Sequence, residues 1–467
     1  MIETDVAVVG AGPAGLAATV AAAESGARVA LVDEYPRPGG QFYKQLPSQY
    51  AVADRAQLDH DYTKGDSLIG QAGHPNVELL TDTLVWGAFE PGVLDVVRGD
   101  IPQKLKAGAI VVATGAYDRP IAFPGWDLPG VMTAGAAQTL VKNQQVLPGR
   151  SILLIGSGPF LLSVAKMLIS GGASVFAVLE ATKPSAWARH ALRVWGHWAR
   201  LKEGYDYLQA IRRAKVPMSF GWVIVRAEGA EEVERAVVAR CDADWHPIPG
   251  TDRTLQVDTI CIGYGFVPAV QLTRLLGCEH AYRPRAGGWV PTHDDAMQTS
   301  VPGVYVAGEV AGIGGAYAAM AEGRLAGLAA ARQVGRSVDP AALEAARKER
   351  AHYRAFGDLI NELFEVRPGI YDLMTDDVTV CRCEEVTAGD VRAMLEDWTA
   401  NVNVVKAVTR TGMGPCQGRI CGGLVAELTA RGTGRRPDEV DFFHPRPPLK
   451  PIPLEVLGRA EPETAVT

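Results

Sequence analysis

An apolar strand that runs straight into glycines and then into a helix of small residues leaves a chain few ways to fold. The segment "TDVAVVGAGPAGLAATVAAAESGARVALVDEY" (4–35) is such a unit: strand, glycine turn, helix and a second strand ending in an acid. Gly10 permits the tight turn, Gly12 lets a pyrophosphate approach the backbone, and Gly15 lets helix and strand pack closely. The helix start at Pro13 and Ala14 offers free N–H groups to phosphate. Asp33, 18 residues beyond Gly15, ends the second strand with Glu34 beside it, where an acid accepts from ribose hydroxyls.

The pattern returns. "SILLIGSGPFLLSVAKMLISGGASVFAVLEA" (151–181) repeats strand, glycine turn, helix and strand, and ends at Glu180. Between and after the two units lie "IVVATGAYDRPIAFPG" (110–125), with Thr114 and Gly115, and "VPGVYVAGEVAGIGGAYAAMAEGRLAGLAAA" (301–331), with Gly308, Glu309 and Ala316. These spacings predict an α/β fold with two nested Rossmann-like dinucleotide-binding domains, the second inserted into the first: 1–145 and 266–335 for the first, 146–265 for the second.

A length of 467 residues agrees with several domains, because one ordinary core stops growing well short of that. After the first domain, 336–375 turns charged and helical and reads as a connector. A small module follows at 376–435, then a proline-rich tail at 436–467. With 47% hydrophobic and 21% charged residues the chain is globular, and a net charge of −7 argues against a nucleic-acid partner. No run of about 18 uncharged apolar residues appears, so no spanning helix is expected. Cys241, Cys261 and Cys278 show no disulfide spacing, which places the protein in a reducing cytoplasm and leaves peripheral contact with the inner membrane through partners open.

The module carries the other four cysteines. "CRCEE" (381–385) holds Cys381 and Cys383; 32 residues separate Cys383 from Cys416, which with Cys421 stands in "GPCQGRIC" (414–421). Four thiolates bind either zinc or an iron–sulfur cluster, although zinc sites usually begin with a wider first pair. Thr387 is placed as the N-cap of an amphipathic helix with Val391, Met394, Leu395 and Trp398 inward.

With these motifs in view, residues 1 to about 335 resemble the two-dinucleotide-domain flavoproteins related to glutathione reductase. The resemblance implies FAD, or another adenine nucleotide, at the first glycine motif, held by Gly10, Gly12, Pro13, Ala14, Asp33, Glu34, Thr114, Gly115, Gly308, Glu309 and Ala316. "PGGQFY" (38–43) is similar to the loop that passes the flavin and adds Gly40 and Gln41. The four-cysteine piece resembles bacterioferritin-associated-ferredoxin-like domains, which implies a small, mostly helical C-terminal domain with one [2Fe–2S] cluster on Cys381, Cys383, Cys416 and Cys421. In this order the two parts resemble the α subunits of heteromeric dye-linked dehydrogenases, a group with the A subunit of opine oxidase, the B subunit of hydrogen cyanide synthase and the α subunits of proline and hydroxyproline dehydrogenases. That resemblance implies a partner β subunit of the D-amino-acid-oxidase type, a small third subunit, a downstream electron acceptor, and in related complexes an FMN between subunits. The expected activity is oxidation of the C–N bond of an amino acid, imino acid or opine. Its substrate pocket is expected in the β subunit, and no catalytic residue is assigned in this chain.

Two departures from the disulfide reductases stand out. They carry a cysteine pair beside the flavin, whereas the first cysteine here is Cys241. In the second unit Leu161 stands where the third glycine belongs, and a bulky side chain there is expected to push helix from strand. Glu180 would repel the 2′-phosphate of NADP. The flavin-side segments supply no arginine apart from Arg37, which an amino-acid carboxylate would need. The stretch 185–216 places Trp187, Leu192, Trp195 and Trp198 near helical spacing, either as a core face or as a docking surface. The alternative function is a self-sufficient NADH-dependent ferredoxin-type reductase using the second unit.

Overall fold

The computed structural model describes residues 1–47, 49–50, 60–188, 193, 196–397 and 401–459. They divide into two units, 1–116 with 268–357 and 444–467, and 117–267 with 358–443.

In the first unit a sheet runs in the order Val77–Leu80, Val29–Val32, Ile2–Val9, Ile101–Val112, Val93–Arg98, Thr83–Glu90, and the late strand Val304–Val306 pairs with Ile101–Val112. The central strands are parallel, with Val6 opposite Val29 on one side and Ala109 on the other. Val6 to Val9 are all buried, as a parallel strand covered on both faces requires. The cover on one face is a pair of helices, Pro13–Glu24 and Ala316–Gln333, built largely of alanine and glycine. They meet at backbone contact: a Cβ on Gly323 would lie 2.0 Å from the Ala14 carbonyl oxygen, and one on Gly327 would lie 2.2 Å from that of Ala18.

The second unit has its own parallel sheet, in the order Met218–Phe220, Val175–Glu180, Ile152–Gly156, Thr259–Gly263, Val131–Thr133, and a three-stranded antiparallel sheet from Trp222–Glu228, Arg235–Arg240 and Arg253–Gln256. Leu161 does not push the helix Pro159–Ser170 away. It is buried, and the place it fills is left by Gly263, on which a Cβ would come 2.8 Å from the Leu161 Cδ2. The glycine missing from the helix is supplied by the facing strand.

The cysteine module packs within this second unit as a short hairpin, Thr379–Cys381 with Val386–Thr387, and the helices Ala388–Asp397, Val402–Thr409 and Cys421–Thr433. Thr387 caps its helix as expected: the Asp390 N–H donates to its hydroxyl at 3.1 Å, and its own N–H donates to the Asp390 carboxylate at 2.9 Å. Val391 is buried and Leu395 lies against Gly432; Trp398 falls outside the described residues. The core-face reading of 185–216 fails where it can be checked. Trp187 is 37% and Trp198 57% exposed, while Leu192 and Trp195 lie outside the described residues. No helix among the described residues is long and apolar enough to cross a membrane.

Candidate functional site

The first glycine turn is tight because Gly10 has φ +105° and a Cβ there would stand 2.4 Å from the Ala113 carbonyl oxygen. Gly12 caps the first helix with extended backbone, Pro13 opens it, and Ala14 packs against Gly308, whose Cβ would come 2.7 Å from that of Ala14. The loop 38–43 closes over the turn: the Gly39 N–H donates to the Ala11 carbonyl at 2.7 Å, and a Cβ on Gly40 would be 2.7 Å from the Gly12 Cα. Its aromatic end reaches the start of the late helix, with the Tyr43 hydroxyl 3.2 Å from the Met320 sulfur and the Phe42 ring 6.5 Å from that of Tyr317. Glycine turn, flavin-type loop and the Ala316 helix start are thus brought together by segments some 300 residues apart.

The acids around this turn are engaged. Asp33 accepts from the Ala11 N–H at 2.5 Å and from the Tyr35 N–H at 2.8 Å, while burial pushes its carboxyl above the usual range. Glu34 pairs with Lys450 of the tail. Gln41 accepts from Lys44 at 3.1 Å, and burial lowers the Lys44 ammonium. Glu309 turns its carboxylate onto the N–H groups of Gly315, at 2.7 Å, and Gly314, just ahead of the helix Ala316–Gln333; burial raises its pKa. Gly308 donates to the buried Glu322 at 3.0 Å. Thr114 and Gly115 tie the chain to itself: the Thr114 hydroxyl donates to the Ala269 carbonyl at 2.9 Å, and the Ala269 N–H donates to Gly115 at 2.9 Å. A Cβ on Gly12 would meet nothing closer than the Gly40 Cα, at 3.9 Å.

Several residues at this site carry no motif. Lys44 directly follows the 38–43 loop and Glu322 lies within the 301–331 segment, while Lys450 arrives only through the fold. Arg354, from the helix Pro340–Leu363, brings an arginine to flavin-side loops that supply none of their own. It donates to the Gly312 carbonyl at 2.8 Å, and a Cβ on Gly314 would come within 2.8 Å of its guanidinium. The same guanidinium lies 3.3 Å from the Glu322 carboxylate, so its charge is already matched.

In the second unit Glu180 is buried and accepts from the Gly158 N–H at 2.9 Å and the Thr182 N–H at 2.8 Å. Burial pushes its pKa up to about 7 against the pull of those donors.

The four module cysteines gather. Cys381 and Cys421 are buried, Cys383 is exposed and Cys416 intermediate. They interact as two pairs. A hydrogen bond from the Cys421 thiol pulls Cys381 down to about 6, and the same bond together with burial pushes Cys421 up. Burial, then the neighbouring Cys416, raises Cys383. The Gly412 N–H is directed at both buried sulfurs, and Gly414 packs so tightly on Cys383 that a Cβ would come 2.3 Å from the Cys383 Cβ. Among the described residues no three His, Cys, Asp or Glu side chains stand as ligands of one ion.

Comparison with known proteins follows this geometry. The model of the pyridine nucleotide-disulphide oxidoreductases matches residues 4–323. The chain belongs to that family. The sarcosine oxidase A3 domain matches residues 378–461, the region of the four cysteines. The A subunit of opine oxidase from Rhizobium meliloti (strain 1021) is 34% identical over 465 residues, covering 98% of this chain and 99% of the relative. Hydrogen cyanide synthase subunit HcnB of Pseudomonas aeruginosa is 33% identical over 471 residues, covering 96% and 97%. The chain is therefore an oxidoreductase family member that aligns end to end with named subunits of larger enzymes. Among solved structures, L-proline dehydrogenase from P. horikoshii has the same fold, with a TM-score of 0.71 at 23% identity over 98% of this chain and 79% of that one.

Proposed function

We propose that this chain is the electron-accepting subunit of a heteromeric dehydrogenase that oxidises the C–N bond of an amino acid, imino acid or opine, with the substrate pocket in a partner β subunit of the D-amino-acid-oxidase type. The observation that carries this reading is the interaction of Cys381 with Cys421 and of Cys383 with Cys416 on a flavoprotein-type chain that has no cysteine before Cys241. The full-length likeness to the A subunit of opine oxidase supports it. FAD, or another adenine nucleotide, would be held over Gly12 by the glycine turn and the Gly39–Gly40 loop, and one [2Fe–2S] cluster by Cys381, Cys383, Cys416 and Cys421. Together such groups convert two-electron into one-electron transfer.

Within the chain, the Gly12 turn and the Ala316 helix start offer backbone N–H groups to a phosphate and to a developing negative charge. Glu309, held by Gly314 and Gly315, keeps that helix end fixed. Gly412 directs its N–H at the buried sulfurs, where it would favour thiolate. Oxidising an amino acid needs an enclosed pocket with a carboxylate clamp, and Arg354, the arginine at the flavin-type loops, is spent on Glu322 and Gly312.

The test is reduction of an artificial dye by glycine, proline-like and opine substrates, measured for the chain alone and for the chain co-expressed with its partner. Turnover is expected only from the complex. Turnover by the isolated chain would place the substrate site here and overturn the reading.

A further inference from the structure

The two glycine turns align residue by residue, Gly10, Ala11, Gly12 and Asp33 in the first with Gly156, Ser157, Gly158 and Glu180 in the second. Asp33 accepts from Ala11, the residue between the glycines. Glu180 is one methylene longer, and its carboxyl accepts one residue further on, from Gly158 at 2.9 Å. That N–H is at the helix start, where a pyrophosphate would sit. The other carboxyl oxygen accepts from Thr182 at 2.8 Å, and Ser157 and Thr182 close the strand end with a hydroxyl contact of 2.9 Å.

The space in front of Gly158 is also used. The atoms nearest to a Cβ on Gly158 are Cβ and Cγ of Phe364, both at 3.9 Å. At the matching position of the first turn the nearest atom stands at the same 3.9 Å but is the Cα of Gly40, which brings no side chain with it. Phe364 is held in place by the Trp187 ring at 5.3 Å, and its segment is pinned by Arg193, which donates to Glu362 at 2.6 Å. Five residues later the Gly369 N–H donates to the Asp244 carbonyl at 2.8 Å, and a Cβ there would come 2.6 Å from that oxygen.

We propose that the second glycine turn is filled by the chain itself, takes no nicotinamide nucleotide, and serves as the seat of the segment that leads into the four-cysteine module. Glu180 stands where a phosphate oxygen would stand, and Phe364 covers the glycine that a pyrophosphate would have to approach. This deepens the subunit reading: electrons reach the module from a substrate oxidised elsewhere in the complex and not from NADH or NADPH bound here.

The test uses the full chain with its first site filled by FAD. Titration with ADP-ribose and, without oxygen, with NADH is expected to show no saturable binding. Saturable binding of either, with the first site already occupied, would overturn the filled turn. The seat is read by proteolysis of residues 358–375: Phe364→Ala is expected to be cut several-fold faster than the parent and Phe364→Leu at close to the parental rate. Cleavage of Phe364→Ala at the parental rate would overturn the seat. Should that variant be insoluble, Trp187→Ala, which removes the ring holding Phe364, is expected to be cut faster as well, and a parental rate there overturns the seat equally. Substrate-driven dye reduction by the complex is measured separately, so a failure of the subunit reading leaves these outcomes unchanged.

Discussion

The indole N–H of Trp126 donates to the carbonyl of Thr379 at 2.6 Å, two residues ahead of Cys381. Arg382, directly after that cysteine, donates back to the Trp126 carbonyl at 2.6 Å, with its guanidinium 4.5 Å from the indole centre. One buried tryptophan thus holds the first cysteine pair from both sides. Trp126→Phe keeps the ring and removes the donor, a loss of about 1 kcal/mol for a hydrogen bond of this kind. Iron release to a chelator is expected to quicken several-fold with flavin content unchanged, and an unchanged release rate would show that the pair is fixed by other contacts.

Gly12 and Gly15 should behave oppositely. A Cβ on Gly15 would lie 1.7 Å from the Gly10 carbonyl oxygen, whereas one on Gly12 meets nothing closer than 3.9 Å. Gly15→Ala is expected to be insoluble or to lose several degrees of melting temperature. Gly12→Val, in extended backbone at φ −77°, is expected to fold and to lose bound nucleotide, read from flavin absorbance after gel filtration. Retention of a full complement would remove the first turn from the binding site.

Glu180 sets a pH dependence with a definite sign. Its folded pKa of about 7 lies above the unfolded 4.5, so the folded state holds the extra proton between those values. Stability should therefore fall as pH rises from about 4.5 to 7 and level off above, by at most about 3 kcal/mol from this group. Denaturant melts of parent and Glu180→Gln across that window should diverge by this slope. Parallel curves would show that the carboxyl titrates normally.

Cys416→Ser should lose iron while the nucleotide stays, because the nucleotide cradle is built by the other unit. The parent is expected to contain about two iron and two sulfide per chain. One zinc and no sulfide would refute the cluster. In the metal-free chain, alkylation should strike the exposed Cys383 before the buried Cys381 and Cys421, as mass spectrometry of peptides would show.

What could be read in advance was whatever chain chemistry fixes locally. Gly10, Gly12, Gly15 and Asp33 sit on one strand–turn–helix, so their geometry follows from spacing, and Thr387 capped its helix for the same reason. Leu161 was misjudged because its partner, Gly263, is brought opposite only by strand pairing across the sheet. Lys450 beside Glu34, Arg354 at Gly312 and Phe364 over Gly158 were invisible for the same cause: each meets its partner through the fold, and none stands in a pattern of its own.

The backbone contact of Gly323 and Gly327 with the Pro13–Glu24 helix has a consequence for synthesis. The amino-terminal helix leaves the ribosome long before residues 316–333 exist, and at about 5–20 residues per second that interval is on the order of tens of seconds. Throughout it, one face of an alanine-rich helix lacks its cover, while the inserted second unit can complete its own sheet. The first nucleotide cradle is therefore finished after the inserted unit's sheet although its turn is made first, and cofactor supply acts on the nascent chain only after the late helix has closed.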